Sequence, residues 1–150
     1  MAAKLQQPTD YHTIELHPLS MEVIGRFNQN RGEELNLETL RSLHAAAWNK
    51  MIKINDFFNL KKIQADLLCH ESTENYNLIY FDAFAPEKQE ELWSEDIFER
   101  LHHALEIGGI LTTYCVKGVI KRRLKKIGFA IEKLAGPIGG KREMLRAIKV

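Results

Sequence analysis

Apolar and polar positions along the chain change period several times, and each change marks an element. Tyr11 to Leu16 is short and rich in β-formers. Leu19, Val23 and Phe27 follow at four-residue spacing, which predicts an amphipathic helix of about three turns. Pro18 stands where a first helical turn accepts proline. After a polar break from Asn28 to Glu34, Leu37, Leu40 and Leu43 carry a second helical pattern towards Trp48. Lys61 to Leu67 predicts a short strand ending near Asp66. Tyr76 to Phe81 is the strongest strand signal: its Leu-Ile-Tyr-Phe run suits burial on both faces, as in a parallel sheet.

Beyond Asp82, Ser94 can cap a helix whose first turn carries Glu95 and Asp96 beside its positive end. Trp93, Ile97, Leu101 and Leu105 form its apolar stripe, and Gly108-Gly109 is expected to end it. A strand (Ile110 to Cys115), a basic helix (Lys117 to Ile127), Gly128 and a strand (Phe129 to Leu134) follow. A Gly/Pro-rich loop, Gly136 to Arg142, leads to a last strand, Glu143 to Ile148. Alternating strands and helices predict an α/β fold with a mostly parallel sheet. The last connection is too short for a helical crossover, so the C-terminal strand should run antiparallel. This order resembles the Rossmann-like class I methyltransferase fold.

Composition narrows the class. The chain has 150 residues, 45% of them hydrophobic, enough for one domain with a single core. No apolar run approaches the roughly 18–20 residues that cross a bilayer. Cys69 and Cys115, 46 residues apart and outside any CxxC, fit a reducing cytosol and argue against structural zinc. The net charge of +1 hides a split: 10 Lys/Arg against 18 Asp/Glu up to Cys115, then 11 against 2 from Val116 onward. A basic end on an acidic chain points either to a polyanionic partner or to opposite charges that meet in the fold.

Ligands of open α/β sheets bind beyond the carboxyl ends of strands, and Glu15, Asp66 and Asp82 each close a predicted strand. An acid there can bond ribose hydroxyls or accept from an adenine amino group; equally, it can be a polar residue entering a loop. Asp82 has the richest surroundings, Phe81-Asp-Ala-Phe-Ala-Pro-Glu-Lys88 and then Trp93. Its carboxylate could orient an amine and take up its proton. Phe84 could stack on a base and Pro86 stiffen the loop, whereas Trp93 reads first as core. In Gly139-Gly-Lys-Arg142, glycine amides and two cations could grip phosphate. With Lys117, Lys121, Arg122, Arg123, Lys125 and Lys126 they offer a track for a nucleic-acid backbone. His102-His103 are adjacent, so they cannot form a metal pair on one helical face, and no metal-ligand spacing is present.

The segment Asp82-Ala-Phe-Ala-Pro-Glu-Lys88, Trp93 and the closing Gly140-Lys-Arg-Glu-Met-Leu-Arg146 resemble the MnmC-like methyltransferase family. Tyr11 to Ser20 looks like that family's second strand with its acidic end. The resemblance implies S-adenosyl-L-methionine as cofactor and tRNA as partner. It further implies methylation of 5-aminomethyl-2-thiouridine at the wobble position, in the cytoplasm and without metal or membrane. It gives Glu15 the cofactor ribose, Asp66 the adenine edge and Asp82 a catalytic place beside the transferring methyl. Phe84, Pro86 and Lys88 would shape the substrate pocket, with Lys141 and Arg142 facing the tRNA. The family's first strand and glycine-rich loop belong ahead of Tyr11, where no glycine precedes Gly25. The expectation is therefore an N-terminally incomplete single domain spanning 1–150, its C-terminal two-thirds. The alternative is a catalytically inactive fragment or RNA-binding module derived from such an enzyme.

Overall fold

The computed structural model describes residues 6–29, 37–136 and 143–150, with the side chains of 27–29 and 37 left aside. It divides into two compact units, Met1–Cys69 and His70–Val150.

In the first unit, β1 (Thr9–Glu15) pairs in parallel with β3 (Phe58–Gln64), and β2 (Met51–Asn55) pairs antiparallel on the other side of β3. Between β1 and β2 lie helices α1 (Met21–Gln29) and α2 (Leu37–Ala45). Pro18 falls three residues before α1 rather than in its first turn. Ser20 opens the helix instead, its hydroxyl accepting from the Val23 amide at 3.4 Å and its carbonyl from Ile24 at 3.0 Å. Strand β2 was not read from the sequence. It forms a hairpin with β3 whose turn is closed by the Phe57 amide donating to Asn55 Oδ1 at 2.9 Å. That hairpin moves the start of β3 back to Phe58 and its end to Gln64, so Asp66 lies in the turn beyond.

The second unit holds a four-stranded sheet in the order β4-β5-β7-β6: β4 (Tyr76–Tyr80), β5 (Leu105–Thr113), β6 (Phe129–Ala135) and β7 (Glu143–Lys149). β4 and β5 are parallel, and β7 runs antiparallel to both its neighbours. The reversed terminal strand is as expected, and because it sits between β5 and β6 it makes two antiparallel pairings rather than one. Helix α3 (Glu95–His103) follows a short 3₁₀ turn at Glu90–Trp93, and α4 (Gly118–Ile127) joins β5 to β6. Ser94 caps α3, accepting from the Ile97 amide at 3.4 Å, and Gly128 closes α4 at φ 115°, a conformation that glycine adopts without a Cβ clash.

Two expectations change. Helix α3 ends at His103, before the glycine pair, and Gly108-Gly109 instead lie inside β5. Tyr76 pairs with Leu105 but Leu78 with Ile110, so β5 bulges between them. Gly108 has φ 78°, and a Cβ on Gly109 would stand 2.7 Å from the Glu106 carbonyl and 3.1 Å from that of Tyr76, which requires glycine. Nor is β4 buried on both faces. It is the edge strand of its sheet, with Leu78 43% and Tyr80 64% exposed.

The core of this unit is Trp93, Ile97, Phe98, Leu105, Leu111, Ile120, Leu124, Phe129, Leu145 and Ala147, all buried. It combines the apolar stripes of α3 and α4 with one face of the sheet. Among the described residues no helix is long and apolar enough to cross a membrane.

Candidate active site

At the carboxyl edge of the first unit, the parallel pairing aligns Glu15 with Gln64, and the Ala65 amide donates to the Glu15 carbonyl at 3.3 Å. Glu15 and Asp66 therefore emerge at neighbouring strand ends. Each keeps one carboxylate oxygen on a local amide: Glu15 Oε1 accepts from His17 at 2.7 Å, and Asp66 Oδ1 from Leu68 at 2.9 Å. These bonds fix both side chains in turns while leaving each a second oxygen. Two carboxylates so held are acceptors of the kind that ribose hydroxyls and an adenine amine require.

In the second unit, β4 ends where the Phe81 amide donates to the Thr112 carbonyl at 2.9 Å. The next residue, Asp82, is exposed, and among the described residues its carboxylate enters no hydrogen bond or ion pair. No arginine among the described residues pairs with it. The Phe81 ring points the other way, edge-on to Trp93 at 5.0 Å and Phe98 at 5.6 Å, and anchors the strand end in the core.

The loop after Asp82 is tied at several points. The Phe84 amide donates to Gln89 Oε1 at 3.3 Å, and the Phe84 carbonyl accepts from the Trp93 indole N–H at 2.8 Å. Lys88 and Gln89 both donate their amides to the Ala85 carbonyl, at 2.7 and 3.2 Å. Glu87 forms an ion pair with Lys117, which precedes α4. The Phe84 ring nevertheless stands 69% exposed, Pro86 is half-buried and Lys88 exposed. So Asp82, Phe84, Pro86 and Lys88 share one braced loop, and Lys117 reaches it through Glu87. Lys141 and Arg142 lie outside the described residues.

Part of the basic stretch is taken up by ion pairs, the second of the two readings its charge allowed. Lys117 pairs with Glu87 and Lys126 with Glu95, while Arg123 donates to the Trp93 carbonyl at 2.7 Å. Farther on, Lys133 pairs with Glu143 and Arg146 with Glu132. Four of the eleven cations after Cys115 thus pair with carboxylates at the surface, while Arg122 and Lys125 remain exposed on α4. Gln89 escaped notice because nothing local marks its side chain as an acceptor for Phe84. Arg123 carried a signal: it falls three residues after Ile120 and beside Leu124, at the margin of the buried stripe. Among the described residues no cluster of His, Cys, Asp and Glu could hold a metal ion.

The profile of a family described as S-adenosyl-L-methionine-dependent methyltransferase matches residues 35–150. The chain belongs to this methyltransferase family. The MnmC-like resemblance carried by its motifs is borne out by the curated relatives, which bear the name tRNA 5-methylaminomethyl-2-thiouridine biosynthesis bifunctional protein MnmC. That of Campylobacter hominis is 28% identical over 142 residues, 90% of this chain and 20% of the relative. That of a Psychrobacter species is 44% identical over 71 residues, 47% of this chain and 10% of the relative. This methyltransferase chain thus spans a fifth or less of these two relatives. The crystal structure of MNMC2 from Aquifex aeolicus shares the fold, with a TM-score of 0.64 at 18% identity, over 98% of this chain and 48% of that one.

Proposed function

We propose that this MnmC-type methyltransferase, read as one domain over residues 1–150, methylates the aminomethyl group of 5-aminomethyl-2-thiouridine at the tRNA wobble position, in the cytoplasm. The observation that carries the reading is the exposed carboxylate of Asp82 at the carboxyl end of β4, without a partner among the described residues and followed by a braced loop bearing an exposed aromatic ring. The names of the curated relatives supply the nucleoside.

When bound, S-adenosyl-L-methionine supplies a methyl group activated on a sulfonium. Glu15 and Asp66 would hold its ribose and adenine edge. Asp82 orients the substrate nitrogen with its lone pair forward and accepts the proton that the nitrogen sheds, a general-base role. Phe84 and Pro86 confine the nucleoside, and Lys88 lies near enough in sequence to meet its phosphate. Lys141 and Arg142 add cations for the tRNA backbone, a role in which Lys117 is tempered by Glu87.

The test is transfer of labelled methyl to tRNA bearing the aminomethyl group. Asp82→Ala should lower the rate by about 100-fold or more, the range of a lost general base, while Glu15→Gln should weaken S-adenosylhomocysteine binding in calorimetry. Undiminished transfer by Asp82→Ala would remove the proposed mechanism. Salt-dependent tRNA binding with no S-adenosylhomocysteine binding would favour the inactive RNA-binding module.

A further inference from the structure

We propose that Trp93 and Gln89 are positioning residues that hold the backbone of Phe84 from both sides, so that its exposed ring is a preset stacking platform for the target base. The proposal rests on the tRNA reading above and adds to it two residues that do not touch substrate. Trp93 is buried among Phe81 and Phe98, at ring distances of 5.0 and 6.2 Å, so its indole is fixed by the core. Its N–H reaches out of that core to the Phe84 carbonyl at 2.8 Å, while Gln89 Oε1 takes the Phe84 amide at 3.3 Å.

Both polar groups of one loop residue are therefore claimed by side chains, an arrangement that regular secondary structure does not supply. Arg123 extends the chain of bonds, donating to the Trp93 carbonyl at 2.7 Å from α4. A side chain 69% exposed gains no fixed orientation from packing. The Cα–Cβ direction from which the ring starts is set by its backbone, and that is the part these residues hold. A base stacks on such a ring at lower entropic cost than on a free one.

The experiment uses the full chain and an anticodon stem-loop RNA carrying 5-aminomethyl-2-thiouridine at the wobble position. Amide ¹⁵N relaxation at Phe84 and RNA affinity by anisotropy are measured for Trp93→Phe, which keeps an aromatic ring but lacks the N–H, and for Gln89→Leu and Gln89→Glu. Trp93→Phe and Gln89→Leu should loosen the Phe84 amide and weaken RNA binding about three-fold. Gln89→Glu, which keeps the acceptor, should restore both. Phe84→Ala should weaken binding about ten-fold, and neither loosening substitution should add to it. Full additivity with Phe84→Ala, or an unchanged Phe84 amide in both variants, would overturn the proposal and leave the tRNA reading intact. An unaltered chain with an ordered Phe84 and no affinity for the RNA would overturn the tRNA reading, and this use of the loop with it.

Discussion

The two units solve the burial problem differently. In the second, seven large apolar side chains from Trp93 to Leu145 are sealed from solvent to below 2%. In the first, the buried apolar residues among those described are Ile24, Ala46 and Leu60, each at 5–9%, and a buried lysine joins them. Lys62 is 8% exposed, donates to the His44 carbonyl at 2.6 Å, and sits 4.7 Å from the centre of the Trp48 ring. Burial lowers its pKa, because an ammonium loses hydration there. The first unit thus secures the end of α2 with a polar tie and a cation–π contact where the second uses hydrocarbon. Of the residues proposed for the site, Asp82 and Phe84 stand on the well-packed unit, and Glu15 and Asp66 on the lightly packed one.

The widest gap should appear when each core loses its centre. Phe98→Ala leaves a cavity among aromatic neighbours and should cost about 3–5 kcal/mol, whereas Leu60→Ala, at a thinly covered site able to collapse, should cost about 2 kcal/mol. Urea unfolding followed by hydrogen exchange on peptides from each unit measures both. In the unaltered chain, amides of β5 and β7 should exchange more slowly than those of β1 and β3. Equal protection in the two units would erase the contrast.

The same contrast explains what could be read from the sequence. Helices α3 and α4 were legible because their apolar stripes face a real core and distinct residues punctuate them: Ser94 at one start, Gly128 at one end. The first unit has few buried positions, so its periodicity is faint. Met51–Asn55 alternates over only five residues, and its signal was the Asn55-Asp56 turn rather than hydrophobicity. The Gly108-Gly109 pair was misplaced because glycine marks helix ends and bulges alike; the close approach to the Tyr76 carbonyl that decides between them joins residues 33 apart. At the site, the strand-end acids and the Asp82 loop were visible as a local motif. The ion pairs that occupy Lys117, Lys126 and Arg146 were not, since each partner comes from another element.

A smaller effect isolates the end of α4. Gly128 has φ 115°, and a Cβ there would meet only His102 Nε2 at 3.8 Å, so the cost of Gly128→Ala is backbone strain and not collision. It should lower stability by about 1–2 kcal/mol, seen as a shifted urea midpoint with exchange quickened in α4 and β6 and unchanged in β1 and β3.

The smallest effect is one of pH, and it separates the units by chemistry. His102, on α3, lies edge-on to Phe129 of β6 at 4.8 Å, with its Nε2 buried and unpartnered. Burial lowers its pKa first, and the charges of Lys149 on β7 and of His103 beside it on α3 lower it further from the ordinary 6.5. In the unfolded chain His102 therefore takes up a proton at higher pH than in the folded one. Its neutral form supports the fold in full above the unfolded value, and that support is lost as pH falls below 6.5 towards the folded value. Acidification from pH 7.5 to 5.5 should accordingly lower the urea midpoint of the second unit, and His102→Leu should flatten that slope. Lys149 also donates to the Leu105 carbonyl at 2.7 Å. A slope that survives His102→Leu unchanged would assign the acid sensitivity to other groups and leave the buried imidazole without a role in it.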